Sequence, residues 1–273
     1  MPKIPFWKYE GAGNDFVALD VRDGSPEVTA DLVREVCHRQ FGVGSDGVLV
    51  LDRSPDPAAH FRMIYYNADG SRGEMCGNGA RCIAAFAVHR GAAPKDMRFV
   101  TDAGVHRARL TEDGVAIEFP AMVDPPELRQ PKVDGHSWDG DYMVVGNPHF
   151  VPWVDDVESV DVENVGRALR YHEAFAPRGV NINFAQPIGD DLIRVRTYER
   201  GVEAETLACG TGSVASAWSH AVRSGMQGAV RLRVLTTSGR ELVITFRLEG
   251  ATAQDVEMAG PARLVHEGIW LRP

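Results

Sequence analysis

The feature that most constrains this chain is a motif that occurs twice at a fixed separation. Glu74-Met75-Cys76-Gly77-Asn78-Gly79-Ala80-Arg81-Cys82 is reworked as Leu207-Ala208-Cys209-Gly210-Thr211-Gly212. Cys209 follows Cys76 by 133 residues. Asn147, in Gly146-Asn147-Pro148-His149-Phe150-Val151, follows Asn14, in Gly13-Asn14-Asp15-Phe16-Val17, by the same 133. Between these anchors Arg62-Met63-Ile64-Tyr65-Tyr66-Asn67 parallels Arg194-Val195-Arg196-Thr197-Tyr198-Glu199. Beyond them Val100-Thr101-Asp102-Ala103-Gly104 parallels Leu235-Thr236-Thr237-Ser238-Gly239. Features kept in order at nearly constant offset point to a duplicated α/β unit of about 130 residues. Two repeats are too few for a solenoid, so the expected fold is α+β, with two pseudo-symmetric α/β domains facing each other across a cleft that holds the site. The expected boundaries are 1–119 with a returning C-terminal strand 263–273, and 120–262. Pro120-Ala121-Met122-Val123-Asp124-Pro125-Pro126 is the expected crossing.

Local patterns fill in the unit. Ile4 to Tyr9 and Phe16 to Leu19 read as strands around a break at Gly11-Ala12-Gly13-Asn14-Asp15. Thr29 to His38 carries helical spacing, with Thr29 as N-cap and Gly42 near the stop. The glycine-rich loop Phe41 to Gly47 leads into a strand at Val48 to Leu51, and Phe61 to Tyr66 is a strand that ends on the turn signal Asn67-Ala68-Asp69-Gly70. Further strands are expected near Met97 to Val100, Val105 to Leu110, Val115 to Phe119 and Gly268 to Leu271.

At 273 residues and 44% hydrophobic content the chain can build two cores. A formal net charge of −9 with both signs interspersed argues against nucleic acid or an anionic membrane as partner. No long apolar run and no signal-like segment is seen at Met1-Pro2-Lys3-Ile4-Pro5, so a cytoplasmic protein is expected. The cysteines, Cys37, Cys76, Cys82 and Cys209, show no CxxC spacing, and no metal is expected.

Each repeat of Cys-Gly-x-Gly runs into an Ala-rich stretch and reads as a glycine turn feeding a helix, with the thiol at the entrance. Such an entrance carries unpaired N–H groups and the positive end of the helix dipole, which favour a thiolate and can hold a carboxylate. A lone cysteine is usually a small buried hydrophobe, and Cys37 and Cys82, inside amphipathic helical patterns, keep that reading. For Cys76 and Cys209 three readings stand: a metal site, for which His149 alone is a poor complement; a redox pair; or paired acid and base. The third suits a carboxylate-bearing ligand held between two helix entrances. One thiolate would take the α-proton of an amino acid while the opposite thiol donates, and the helix N-termini would stabilise the charge gathering on the carboxylate. No site for a pyridoxal Schiff-base lysine is evident, so no cofactor is expected.

Asn14, Asn67, Asn78, Asn147 and Asn181 stand at turn signals or strand ends, where Asn is common for structural reasons; together they would suit a zwitterionic ligand. Glu199-Arg200-Gly201 is either a surface ion pair or a reader of an amino and a carboxylate group. His149 either tunes a thiol or satisfies a loop carbonyl. Phe41 to Gly47 precedes a strand instead of joining strand to helix, which discounts a dinucleotide site.

At these residues the sequence resembles the diaminopimelate epimerase family, pyridoxal-independent enzymes that interconvert LL- and meso-diaminopimelate for lysine and cell-wall synthesis. The resemblance rests on Gly11-Ala12-Gly13-Asn14-Asp15-Phe16, Asn67-Ala68-Asp69-Gly70-Ser71, Cys76 to Cys82, Gly146-Asn147-Pro148-His149, Asn181, Glu199-Arg200-Gly201 and Ala208-Cys209-Gly210-Thr211-Gly212. It implies Cys76 as acid for the LL substrate and Cys209 as base. Gly77, Asn78, Gly210 and Thr211 would hold the reacting end, and Asn14, Asn67, Asn147, Asn181, Glu199 and Arg200 would line the rest of the pocket. His149 and Glu199 would adjust the thiol pKa values. A small amino-acid substrate and a homodimer are implied as partners. Two departures stand out: Gly47 occupies a place where some members carry a substrate-contacting Gln, and the link from Arg200 to Cys209 is one residue longer than in some members. Related racemases share the cysteine pair, so a racemase of another amino acid such as histidine is the alternative. A non-catalytic amino-acid binder or thiol redox protein is the alternative of another class.

Overall fold

The computed structural model describes residues 2–73 and 75–272. Glu74, which opens the first cysteine motif, lies outside the described residues, as do Met1 and Pro273, the two ends of the expected first domain. The chain divides into two compact units, Met1–Glu118 with Ala259–Pro273, and Phe119–Met258.

In the first unit Lys3–Gly11 and Asn14–Asp20 form an antiparallel hairpin. Its turn places Ala12 and Gly13 at positive φ (56° and 108°), a conformation that glycine adopts without cost. The chain then crosses through helix α1 (Ala30–Cys37) to Gly47–Asp52, parallel to Asn14–Asp20, and returns antiparallel as Phe61–Asn67. After the short strand Arg72–Gly73, helix α2 (Gly77–His89) leads to Asp96–Thr101, parallel to Phe61–Asn67 and paired antiparallel with Gly104–Thr111. Arg263–Leu271 lies antiparallel beside Lys3–Gly11.

The second unit repeats that script. Gly140–Val145 and Asn147–Pro152 form the hairpin, with Gly146 at φ 66° in its turn. Helix α3 (Val162–Arg170) crosses to Asn181–Pro187, parallel to Asn147–Pro152, and Leu192–Glu199 returns antiparallel. The short strand Ala204–Thr206 precedes helix α4 (Gly210–Arg223), which leads to Gly228–Leu235, parallel to Leu192–Glu199 and antiparallel to Glu241–Glu249. Both units therefore pair their strands in one sequence: antiparallel, parallel, antiparallel, parallel, antiparallel.

Helices α2 and α4 are the centre of their units. In α2 Asn78 to Ala84, Phe86 and Ala87 are buried, and in α4 every residue from Gly212 to Ser219. A helix buried nearly all round is a core element, not an amphipathic surface one. Each touches strands from across its own sheet, so each sheet curves around its helix. Small residues make this possible: Gly79, Ala80 and Ala84 in one, Gly212, Ala215 and Ala217 in the other, let strands approach closely. Cys82 accordingly sits in a helix without a polar face, which corrects the amphipathic pattern expected there. Helix α1 starts as expected, with Leu32 N–H donating to Thr29 Oγ1 at 3.3 Å. It stops at Cys37, and Gly42 instead packs over the helix end, where a Cβ would overlap the Glu35 carbonyl.

Candidate active site

Cys76 and Cys209 are the N-cap residues of the two central helices, both in extended conformation (φ −132°, ψ 121° and φ −115°, ψ 112°). Their carbonyls accept the first helical bonds, from Ala80 N–H at 2.7 Å and Ser213 N–H at 2.9 Å. An N-cap side chain is aimed at the unpaired amides of the first turn. Cys76 Sγ accepts from Gly79 N–H at 3.4 Å, a contact that favours its thiolate; Cys209 Sγ lies 3.6 Å from Thr211 Oγ1. Gly77 and Gly210 are the first helical residues. The other two thiols are inert by environment. Burial raises the pKa of Cys82, and also that of Cys37, whose sulfur accepts from Ser45 Oγ at 3.2 Å.

Around α2 the asparagines form a connected chain. Arg81 Nη2 donates to Asn78 Oδ1 at 2.6 Å, Asn78 Nδ2 to Asn14 Oδ1 at 2.6 Å, and Asn14 Nδ2 to Asp46 Oδ2 at 3.0 Å. Arg39 bridges Asp46 and Asp15, and Lys8 pairs with Asp15 at 2.6 Å. Burial works to raise the Asp15 pKa, but Arg39 and Lys8 outweigh it and hold it low. Asn67 stands apart from this chain: its Oδ1 accepts from Tyr65 O–H at 2.7 Å and its Nδ2 donates to Ser71 Oγ at 3.0 Å. Gly47 is paired in register with Asn67, and a Cβ there would lie 2.5 Å from the Tyr66 carbonyl and 2.9 Å from the Tyr65 ring. The strand pair is closed up against that place, so a Gln side chain has no room in this chain.

Around α4 a second cluster joins residues expected to act together. Arg200 Nη2 donates to Asn147 Oδ1 at 2.8 Å, and the Arg200 backbone N–H to Asn181 Oδ1 at 2.8 Å. Asn181 Nδ2 in turn reaches the Pro148 carbonyl at 3.3 Å. Glu199, at the end of the neighbouring strand, accepts from Thr206 Oγ1 at 2.9 Å; burial nevertheless raises its pKa. His149 is fully buried, which lowers its pKa to about 3; the Val145 carbonyl opposes this and the charge of Arg200 adds to it. Its Nδ1 lies 3.1 Å from Asn183 Nδ2. The ring is neutral at physiological pH and supplies no cation to a thiolate.

That burial has a measurable sign. With a folded pKa of about 3 against an ordinary 6.5, His149 binds its proton only in the unfolded chain over that interval. Stability is complete above pH 6.5 and falls as the pH drops toward 3. His149→Asn is expected to flatten the urea-unfolding free energy between pH 6 and 4.5 by up to about 1.4 kcal/mol per pH unit. His106 and His220, also lowered by burial, keep their share of the slope. An unchanged slope in the variant would mean that His149 is charged in the fold.

Arg81, Asp46, Asn183 and Thr197 were not reached from sequence. A charged residue inside an Ala-rich helix was the signal for Arg81, and Asn183 shares the strand face of Asn181 two residues on. Among the described residues no group of three or more His, Cys, Asp or Glu is arranged to hold a metal ion, and no helix is long and apolar enough to cross a membrane.

The sequence profile described as diaminopimelate epimerase matches residues 6–127 and again 142–265. The chain belongs to the diaminopimelate epimerase family. The two matched stretches fall largely on the two units described above. A diaminopimelate epimerase of Aquifex aeolicus is 43% identical over 97% of either chain, and one of Methanocella arvoryzae is 40% identical over 98% of this chain and 97% of its own. Among solved structures, a PhzF-family phenazine biosynthesis protein of Bacillus anthracis covers 100% of both chains with a TM-score of 0.74 at 15% identity. A hydroxyproline epimerase from Agrobacterium vitis covers 98% of this chain and 92% of its own with a TM-score of 0.64, also at 15% identity. At that identity the likeness is one of fold, and the family assignment comes from the profile and the diaminopimelate epimerase relatives.

Proposed function

We propose that this chain is a cofactor-independent two-base epimerase that interconverts LL- and meso-2,6-diaminopimelate, supplying lysine and peptidoglycan precursor synthesis. The observation that carries the reading is the placement of Cys76 and Cys209 at the same point of two repeated units, each capping a buried helix. Binding alone needs no cysteine, and equivalent thiols at equivalent helix entrances suit the removal of a proton from one face of a carbon and its return to the other. With the LL substrate, Cys209 thiolate takes the α-proton and Cys76 thiol gives up its own; the roles exchange in reverse, and one proton is shared by the pair at rest. The first-turn amides of α2 and α4, with Gly77, Asn78, Gly210 and Thr211, would receive the α-carboxylate as it gains charge. A thiol suits this work because its ordinary pKa of about 8.5 needs little adjustment.

Asn14, Asn67, Asn147, Asn181, Glu199 and Arg200 would then read the distal amino and carboxylate groups. The cluster of Arg200 with Asn147 and Asn181 favours a substrate with a second carboxylate over a single-centre amino acid, because a guanidinium set among amides is built for such a group. Turnover of diaminopimelate against a panel of amino acids including histidine tests the choice. Racemisation of a single-centre amino acid with diaminopimelate inert would overturn the substrate. Equal early deuterium labelling of substrate and product in D₂O would overturn the two-base course.

A further inference from the structure

The hydrogen-bond chain beside α2 has ends of opposite character. At one end stands Arg81, fully buried, whose guanidinium can only donate. At the other stands Asp46, half-buried, whose carboxylate receives Asn14 Nδ2 at 3.0 Å, the Asp15 N–H at 3.2 Å and Arg39 Nη2 at 2.7 Å, and as an anion can only accept. Between them lie two amides that could each face either way. Turning Asn78 would set its NH₂ against the guanidinium. Turning Asn14 would set its oxygen against the carboxylate. The donor end and the acceptor end therefore demand one polarity, and the short links of 2.6 Å transmit it from amide to amide.

We propose that Arg81 and Asp46 are positioning residues that fix, from opposite ends, the orientation of the Asn78 and Asn14 amides, so that this end of α2 reads a carboxylate. In the enforced orientation each Nδ2 spends one hydrogen on the chain and keeps its second. Two amide N–H donors are thus held beside the first-turn amides of α2, and all of them favour the same partner, a carboxylate group. With the opposite polarity the same two side chains would turn carbonyl oxygens to the ligand and repel it. Arg39, which bonds both Asp46 and Asp15, and Lys8, which pairs with Asp15, anchor the acceptor end to the first hairpin.

That Asn14 and Asn78 meet substrate rests on the proposed function; the polarity itself does not, and the test separates the two. Asn78→Asp places an acceptor against Asn14 Oδ1 and leaves Asn14 between two carboxylates. Its thermal midpoint is expected to fall, and adding Asp46→Asn is expected to recover part of the loss, because Asn14 can then turn and the chain runs with one carboxylate moved inward. Effects that simply add, with no recovery in the double variant, would overturn the polarity argument. Kinetics with diaminopimelate then address binding. In the double variant KM should stay raised by about tenfold or more although part of the stability is regained, because a carboxylate now faces the substrate's own. Recovery of KM to the wild-type value together with stability would overturn the carboxylate-reading role. A wild-type protein inert on diaminopimelate would sink the substrate reading alone, since the stability cycle is read without substrate. Should Asn78→Asp fail to fold, a neutron structure of the wild type decides directly. Asn14 Nδ2 toward Asp46 and Asn78 Oδ1 toward Arg81 is the expected result, and either amide reversed is the contrary one.

Discussion

Replacing Cys76 or Cys209 by Ala should abolish epimerisation in both directions, with a fall in kcat of about 10³-fold or more. In the proposed mechanism each thiol is base in one direction and acid in the other, so loss of either one should block inversion whichever epimer is supplied. The two variants should nevertheless differ. Cys76→Ala retains Cys209 and should still exchange the α-hydrogen of the epimer that presents it to Cys209, slowly and without inversion. Cys209→Ala should exchange only the other epimer. Neither substitution should unfold the protein. Cys76 Sγ makes a 3.4 Å contact with one helix amide, and losing a cap costs about 0.5–2 kcal/mol. Proton NMR in D₂O with each epimer in turn reads exchange and inversion separately. Either Ala variant epimerising within tenfold of the wild type would remove the two-base mechanism, as would exchange of both epimers by one variant.

The repeat was legible because its anchors are glycines and cysteines whose places in the fold tolerate little else. Gly13 and Gly146 turn equivalent hairpins at positive φ, and Cys76 and Cys209 cap equivalent helices. Thr29 was legible for the same local reason, a side chain answering the amide three residues on. Gly42 stands five residues past the last helical residue, and its role was not legible because its close neighbour is the carbonyl of Glu35, seven residues back. The polar chains were out of reach from sequence. Asn78 meets Asn14 across 64 residues of chain, and Arg200 meets Asn147 across 53. A motif marks such residues as present together without saying which atom answers which. Arg81 shows the limit well: a charge inside an Ala-rich helix marks it as unusual, but only the packing of strands around α2 shows that it is buried.

Gly212→Ala sets two physical effects against each other, and their sizes decide the outcome. Gly212 is the third residue of α4, and helix propensity alone favours Ala there by about 1 kcal/mol. A Cβ at 212, however, would overlap Asn183 Oδ1 and lie 3.2 Å from Cys209 Sγ. Asn183 has little freedom to yield. Its Oδ1 accepts from Thr197 Oγ1 at 3.1 Å, and its Nδ2 is shared between His149 Nδ1 at 3.1 Å and the Phe150 carbonyl at 3.5 Å. Overpacking against a fixed group costs about 1–3 kcal/mol, so the variant should melt below the wild type despite the better helix former. The Cys209 thiol must also give by a few tenths of an ångström, which in the proposed mechanism should lower turnover as well. Gly79→Ala is the contrasting case at the matching position of α2. Its Cβ would meet Leu49 Cδ2 at 3.0 Å and Met63 Cε at 3.4 Å, the flexible ends of apolar side chains that can move aside. It should therefore melt closer to the wild type and keep more of its turnover than Gly212→Ala. If Gly212→Ala matched the wild type in both measurements, Asn183 would not be the rigid wall that keeps position 212 free of a side chain.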